Sequence, residues 1–342
     1  MKNSLARPTI HDVAADAKVS LATVDRVLNA RGGVAEKSIK RVHDAVARLG
    51  YVRDVSAANL SRNREYRFTF ILPDSASGFV ELLRQALGAE QTRLRAEKVR
   101  IDVVATRAFD VEAQVAALKS HSAQTTDGIA LIAAEAPEVQ REIKRLMGEG
   151  VHIVTLVADL PHSGRDAYVG PDNVVAGRTA ASFMGRFVGT GGGDILMVTG
   201  SLAARDHMER VMGFRAVIQE QFGALNLLPA TQSYDDAETL STLVKDAMDH
   251  HNLRGVYAVG AGHRGLLDAL QNGSVKPIVI AHELTDISQR GLRSGAIDLV
   301  IDQNPAAEVR AAVDLMRDLS DGRMISPATG SIPLNIFVRE NI

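Results

Sequence analysis

Polar side chains gather at the ends of several predicted strands, where they could bind a small ligand. Asp74, Ser77 and Phe79 follow the first strand, and Asp159 and Arg165 follow the fourth. Charged and amide groups can fork onto adjacent hydroxyl groups of a ligand while an aromatic face stacks on its ring. The second half of the chain adds candidates of the same kind: Arg210, His263, His282, Glu283 and Gln303.

Three residues in this region have a second interpretation. Phe79 fits a position in the core as well as a stacking platform. Asp172 precedes a helical pattern over 173–187 and suits the N-cap of that helix. His263 follows a glycine cluster and could be an exposed loop residue. These alternatives stay open at the level of sequence.

The patterns that usually mark catalysis are incomplete in this chain. G-T-G-G-G-D at 189–194 precedes a strand and lacks the G-K-[ST] end of a phosphate loop. Gly260-Ala261-Gly262 follows a strand but departs from the G-x-G-x-x-G spacing. His250 and His251 are adjacent and cannot share a helical face as metal ligands, and cysteine is absent. The sequence therefore predicts that the protein is not an enzyme and that it has no catalytic residue, bound metal or cofactor.

Alternating strands and helices must position the polar candidates. Short apolar, β-branched runs without polar alternation are typical of buried parallel strands. A segment of about 275 residues is large for one such sheet, which favours two lobes with a ligand cleft at the strand ends. The predicted strands are 68–72, 100–105, 128–132, 152–157, 194–199, 255–259, 277–281 and 299–302. The predicted helices are 79–97, 111–121, 137–148, 173–187, 206–222, 236–249, 263–271, 284–294 and 305–319.

The first fifty residues have a different, all-helical texture. Thr9 is a good N-cap for a helix from Ile10 to about Ala17, and Ser20 caps a second one. A third apolar pattern runs from Ile39 to Leu49 and ends at Gly50. The short turn between the first two helices predicts a helix-turn-helix, the arrangement that places a second helix in the DNA major groove. A small helical bundle without nucleic acid is the alternative.

Charge is distributed unevenly between this head and the rest of the chain. Residues 1–62 hold 11 Lys and Arg against 6 Asp and Glu, a balance of +5. The net charge of the whole chain is −2, so the remaining 280 residues carry −2 − 5 = −7. A basic head suits phosphate contacts. The sequence shows neither a signal peptide nor an apolar run that could span a membrane, and we expect a cytoplasmic protein.

The head resembles the lactose-repressor (LacI) family of bacterial transcription regulators. The family pattern T-x-x-D-V-A-x-x-A-G-V-S-x-x-T-V-S-R-V-L-N is met at Thr9, Asp12, Val13, Ala14, Ala17, Val19, Ser20, Thr23, Val24, Arg26, Val27, Leu28 and Asn29. The body resembles the family's sensor, which is similar to periplasmic sugar-binding proteins. The resemblance rests on V-G-P-D-N-x-x-A-G (169–177), R-x-x-G-F (210–214), H-E-L-T (282–285) and I-D-Q-N-P (301–305).

The resemblance implies roles for residues of the head. Arg26 would reach the major groove, with a solvated helix charge as the alternative. Leu60, in a hinge over 55–61, would wedge into the minor groove, or else lie in a plain linker. The departures from the family pattern include Lys18 for glycine and Asp25 for serine. The implied DNA-binding set is Thr9, Ser20, Leu21, Ala22, Thr23, Arg26, Asn29 and Leu60.

The resemblance also implies roles in the cleft. Arg210 falls where the family's arginine contacts effector, Glu283 where many members hold an acidic ligand, and Gln303 at a crossover glutamine. We therefore expect an all-α helix-turn-helix head (1–50), a hinge (51–65), and an α/β sensor (66–342). That sensor is periplasmic-binding-protein-like, with two doubly wound parallel-sheet lobes.

The function expected from the resemblance is that of a homodimeric transcriptional regulator, with repression the favoured mode. A sugar or polyol in the cleft would control its affinity for a pseudo-palindromic operator. A solute-binding protein for sugar transport is the alternative, and it would need an export signal and no basic head.

Overall fold

The protein is described by a computed structural model over residues 8–28, 33–49, 64–74, 78–271, 276–326 and 328–342. The chain divides between Arg64 and Glu65 into two compact units, the head and the body. The predicted hinge and its Leu60, together with Asn29 and Ser77, lie outside the described residues.

The head contains α1 (Ile10–Ala17), α2 (Leu21–Leu28) and α3 (Glu36–Leu49). Thr9 begins α1 with the expected capping box, because its backbone N–H and hydroxyl donate to the Asp12 carboxylate at 2.7 Å each. Ser20 caps α2 by accepting from the Thr23 amide at 3.1 Å. The three helices bury a small core of Val13, Ala14, Ala17, Val24, Val42 and Ala45. The predicted helix-turn-helix is confirmed.

Lobe 1 of the body is an α/β unit in which helices connect the strands of a parallel sheet. Among the described residues its strand order is β2-β1-β3-β4-β5, and every pairing is parallel. The strands are β1 (Tyr66–Asp74), β2 (Val99–Arg107), β3 (Gly128–Leu131), β4 (His152–Leu156) and β5 (Ala167–Val169). The helices between them are α4 (Gly78–Ala96), α5 (Val111–Lys119) and α6 (Pro137–Gly148).

Lobe 2 is built the same way, with an edge strand added. Its described strands run in the order β12-β11-β10-β9-β6-β7, with β8 paired to β6. The strands are β6 (Gly193–Thr199), β7 (Leu225–Leu227), β8 (Thr231–Gln232), β9 (Leu253–Ala258), β10 (Ile278–His282), β11 (Leu299–Asp302) and β12 (Asn335–Phe337). The helices are α7 (Asn173–Val188), α8 (Arg205–Gln221), α9 (Ala237–His250), α10 (His263–Gln271) and α11 (Asp286–Ser294).

The chain passes between the lobes more than once. The segment after β5 leads into α7 on lobe 2, and Gln303-Asn304 leads back into α12 (Pro305–Ser320). α12 buries Val309, Val313 and Met316 in the core of lobe 1 beneath β1 and β4. The chain then returns to β12, which pairs antiparallel with β11. The fold of two doubly wound lobes is confirmed, with β12 as an antiparallel edge.

Candidate functional site

A cavity of about 590 Å³ lies between the lobes, at the carboxyl ends of their strands. Ligand sites in doubly wound sheets are found at this edge because the loops there converge. The wall from lobe 1 includes Pro73, Phe79, Val80, Phe109, Val111, Gln114, Ile132, Ala133, Glu135, Val157 and Ala158. The wall from lobe 2 includes Arg205, Asp206, His207, Arg210, Asp235, His263, Arg264, Glu283 and Thr285, with Gln303 from the crossover.

Arg210 on α8 is the central charge of this cavity and is only 3% exposed. Its Nε donates to Asn173 Oδ1 at 2.8 Å, and its Nη1 lies 3.7 Å from Glu283 Oε1. The close approach of α7 to α8 fixes the arginine backbone, since a Cβ on Gly177 would lie 1.9 Å from the Arg210 carbonyl oxygen. A side chain at position 177 would push the helices apart. The cavity therefore has a rigidly held guanidinium at its lobe 2 wall.

Glu283 is buried beside this arginine. Gln303 Nε2 donates to Glu283 Oε1 at 2.7 Å. Burial raises the pKa of Glu283 to about 8, with Arg210 acting in the opposite direction. Glu308 on α12 is fully buried, and burial together with the nearby Glu283 raises its pKa well above the ordinary carboxyl value. Glu283 and Glu308 therefore bind protons more tightly than ordinary carboxyl groups do.

The two candidate histidines are both buried, and they have different surroundings. His263 begins α10, lines the cavity and is 5% exposed. Burial lowers its pKa to about 4, so the ring is neutral at physiological pH. His282 lies outside the cavity wall, where its Nε2 is 2.8 Å from the Tyr257 hydroxyl. That tyrosine stacks on Phe214, so His282 is a core residue.

The structure brings together five of the effector candidates and separates the others. Phe79, Arg210, His263, Glu283 and Gln303 share the cavity wall. Phe79 also belongs to the core of lobe 1, which confirms the core interpretation, and its role as a stacking platform stays a prediction. The alternative that His263 is exposed is wrong, because α10 buries it.

Three other predicted effector residues lie outside the cavity wall. Asp159 and Arg165 form an ion pair with each other, and Asp159 also accepts from the Thr155 hydroxyl at 3.1 Å. Asp74 is exposed and lies 3.9 Å from Arg84. Asp172 caps α7 by accepting from the Val175 amide at 3.0 Å, the structural alternative for that residue.

Three further residues were not predicted from the sequence: Arg205 and Glu135 line the cavity, and Asn173 contacts wall residues without lining the cavity itself. Asn173 links the lobes, since its Nδ2 donates to the Val157 carbonyl at 3.0 Å while its Oδ1 accepts from Arg210. Arg205 reaches Glu135 of lobe 1 at 3.3 Å. Asn173 belongs to the V-G-P-D-N motif, which could have marked it. Glu135 and Arg205 belong to none of the quoted motifs, and only their position in space reveals them.

The described DNA-binding candidates lie on α2 and at its N-cap, apart from Thr9, which caps α1. Leu21, Ala22 and Arg26 are exposed on α2, as base-reading side chains must be. Ser20 and Thr23 hydrogen-bond to each other at 2.9 Å across the start of the helix. Lys18 ends α1 in the left-handed region, with φ 52°. This backbone conformation costs an L-residue such as lysine about 1 kcal/mol. Glycine, which the family pattern has at this position, would adopt it without that cost.

The fold and its cavity define a two-lobed ligand-binding body of the periplasmic-binding-protein class, preceded by a helix-turn-helix head. The periplasmic binding protein domain model matches residues 68–324, and the model for bacterial regulatory proteins of the lacI family matches residues 9–54. The chain thus belongs to the lacI family of bacterial regulatory proteins, with a periplasmic binding protein domain as its body. In the described residues, no helix is long and apolar enough to cross a membrane.

Curated relatives include a bacterial transcriptional regulator and a catabolite control protein. The chain is 24% identical over 215 residues to the HTH-type transcriptional regulator DegA of Bacillus subtilis, covering 63% of this chain and 61% of that protein. It is 23% identical over 212 residues to catabolite control protein A of Staphylococcus aureus, covering 62% and 61%. The match therefore spans about three fifths of the length of these relatives.

Solved structures with a similar fold include a glucose-galactose binding protein and a solute binding protein of a carbohydrate transporter. GanP, a glucose-galactose binding protein from Geobacillus stearothermophilus, has a TM-score of 0.73 at 20% identity, covering 82% of this chain and 99% of that one. A carbohydrate transporter solute binding protein from Agrobacterium radiobacter, in complex with D-arabinose, has a TM-score of 0.74 at 19% identity, covering 81% and 95%. At these identities the likeness establishes the fold of the body.

Proposed function

We propose that this protein is a DNA-binding transcriptional regulator, acting as a repressor, whose operator affinity depends on a sugar or polyol in the cavity between the lobes. The observation that carries the proposal is the combination in one chain of an exposed recognition helix and a cavity built around a buried arginine. The relative named as a transcriptional regulator supports the DNA-binding part of the proposal. The sugar-binding structural neighbours support the effector-binding part.

The proposed mechanism couples closure of the lobes to the spacing of two heads. Two copies of the chain would present paired α2 helices to the half-sites of a pseudo-palindromic operator. An effector that contacts both lobes stabilises one separation of the lobes over another. The coupling has to come from that difference in affinity, about 1–3 kcal/mol for typical allosteric proteins. A cytoplasmic homodimer is part of this proposal.

A gel-shift assay on the DNA upstream of the protein's own gene tests the proposed binding to operator DNA. Specific, palindrome-dependent binding is expected near physiological salt. Arg26→Ala should lose specific binding and keep most non-specific affinity, because base contacts carry sequence information and phosphate contacts do not. Arg48→Ala is the matched control, since that arginine is paired with Asp16 at 2.6 Å.

Absence of specific binding by the wild type would contradict the regulator proposal and favour a solute-binding protein. Equal loss of specific and non-specific binding in Arg26→Ala would reduce Arg26 to a phosphate contact. To test the proposed control by an effector, we expect Arg210→Ala to abolish the response to effector while operator binding survives. An unchanged response would remove Arg210 from the effector site.

A further inference from the structure

The two walls of the cavity differ in chemical character. Lobe 1 contributes mainly apolar side chains, and of its polar ones Gln114, Asp110 and Glu135 already have partners within the protein. Gln114 donates to the Ile132 carbonyl and accepts from the Ala134 amide, both at 2.8 Å. Asp110 accepts from the Ala113 amide at 2.9 Å as the N-cap of α5. Thr106 and Arg107 also line this wall, so a ligand meets more apolar side chains than free polar ones on this side.

The opposite wall has hydrogen-bonding capacity to spare. His263, Glu283 and Gln303 are 5%, 8% and 2% exposed. Each has one side-chain atom that is buried without a hydrogen-bond partner in the described part of the chain: His263 Nε2, Glu283 Oε2 and Gln303 Oε1. A buried polar group left unpaired destabilises the folded protein. These atoms point to a ligand that completes their hydrogen bonds.

The unpaired atoms are mainly acceptors. The neutral His263 ring has one nitrogen that donates and one that accepts, and a proton on Nδ1, towards the Gly260 backbone, leaves a lone pair on Nε2. An amide oxygen such as Gln303 Oε1 can only accept. A carboxylate ligand has no donors and would leave both atoms unpaired. Hydroxyl groups fit, because they donate to these acceptors and also accept from Arg210.

We propose that the effector is a sugar or cyclic polyol with several hydroxyl groups facing lobe 2 and an edge without hydroxyls facing lobe 1, such as a 6-deoxy sugar. This inference rests on the proposed function and narrows its ligand class. A fully hydroxylated hexose would bury a hydroxyl against the apolar wall without a partner. Hydrophobic pockets discriminate against an added hydroxyl by at most about a hundredfold, so we expect a preference of tenfold or more.

Thermal denaturation with matched sugar pairs tests the inference, since a ligand of the native state raises its melting temperature. The probes are D-fucose with D-galactose, L-fucose with L-galactose, L-rhamnose with L-mannose, and 6-deoxy-D-glucose with D-glucose. In at least one pair the deoxy sugar should raise the melting temperature and bind tenfold or more tightly than its parent. An equal or stronger effect of every parent overturns the inference, and so does the absence of a shift from all eight sugars.

A pair of isosteric variants on α5 locates the preference. Val111 lines the cavity, whereas Val115, one turn later and similarly half-buried, does not. Val111→Thr places a hydroxyl on the apolar wall and should reduce the deoxy preference at least threefold, while Val115→Thr should leave it unchanged. If the two variants prefer the deoxy sugar over its parent to the same degree, the deoxy edge of the ligand does not face Val111 on the lobe 1 wall, and the inference is overturned. No DNA is involved, so failure of operator binding would contradict the regulator function and leave this result intact.

Discussion

The ion pair between Glu135 and Arg205 joins the two lobes at the cavity and should favour their closure. Glu135 follows β3 in lobe 1, and Arg205 is the first residue of α8 in lobe 2. Glu135 Oε1 lies 3.3 Å from Arg205 Nη1. Glu209 holds the same arginine through Nε at 2.8 Å, so the guanidinium is oriented from within its own lobe. Glu135→Gln removes the attraction between the lobes and keeps this orientation.

The size of the effect follows from the exposure of the pair. The side chains of Arg205 and Glu135 are 28% and 45% exposed, so solvent screens their attraction. Exposed ion pairs contribute about 0.2–1 kcal/mol, and the oriented geometry favours the upper half of that range. A loss of about 0.5–1 kcal/mol would lower the ratio of closed to open molecules by about two- to fivefold. High salt should shrink the difference.

Fluorescence energy transfer between the lobes can measure this ratio. The chain has no cysteine, so Lys119→Cys in lobe 1 and Lys245→Cys in lobe 2 provide specific labelling sites at exposed positions. Glu135→Gln should move the population toward the larger separation. The control is Glu138→Gln, which removes an exposed ion pair to Arg141 at 3.2 Å within lobe 1. An unchanged population in Glu135→Gln, or an equal shift in the control, would refute the reasoning.

Three further predictions concern stability. Burial raises the pKa of Glu283 from 4.5 to about 8, so between these values the folded protein binds more protons than the unfolded chain and stability falls as pH rises. Below about pH 6.5 the buried histidines have the opposite effect, because the unfolded chain binds their protons more tightly. Melting temperatures should therefore be compared between about pH 6.5 and about pH 8. In this range Glu283→Gln should lose stability less steeply than the wild type as the pH rises. Gly177→Ala should lower the free energy of unfolding by about 3 kcal/mol or more, because its Cβ would overlap the Arg210 carbonyl. Gly88→Ala, with open space around its Cβ, should gain about 0.5–1 kcal/mol in the same urea titration. Lys18→Gly should stabilise the head by about 1 kcal/mol in chemical denaturation, and no gain over Lys18→Ala would show that the left-handed turn is unstrained.

The main architecture could be predicted because its signals are long and local. Strands such as β1 and β2 are nine residues long, and β1 is buried over most of its length. By contrast β5, β7, β8 and β12 are two or three residues long. Such strands are fixed by the neighbour they pair with, so their own residues hardly distinguish them from loops. The sequence therefore predicted the lobes and missed these short edge and bridging strands.

The candidate site could be predicted only in part, because charges at a strand end have several possible partners. Asp159 and Arg165 follow β4, as cavity residues would, yet the turn at Pro161–Ser163 brings them onto each other. Arg210 follows no strand directly, and the family resemblance identified it. Its partner Asn173 is 37 residues earlier, on another helix. Pairings at that distance are set by how α7 and α8 pack.

The backbone at the cavity indicates what an effector can move. Val157, Asp235 and Glu283 all line the cavity with left-handed φ values of 63°, 61° and 68°. Such conformations cost an L-residue about 1 kcal/mol each and persist only where the surroundings hold them. The amides of Val157 and Glu283 donate at 2.9 Å to carbonyls of neighbouring strands, and the Asp235 carboxylate accepts from a loop amide at 2.8 Å. Because each wall is fixed within its own lobe, an effector would change the distance between the lobes. The ion pair of Glu135 and Arg205 opposes an increase in that distance.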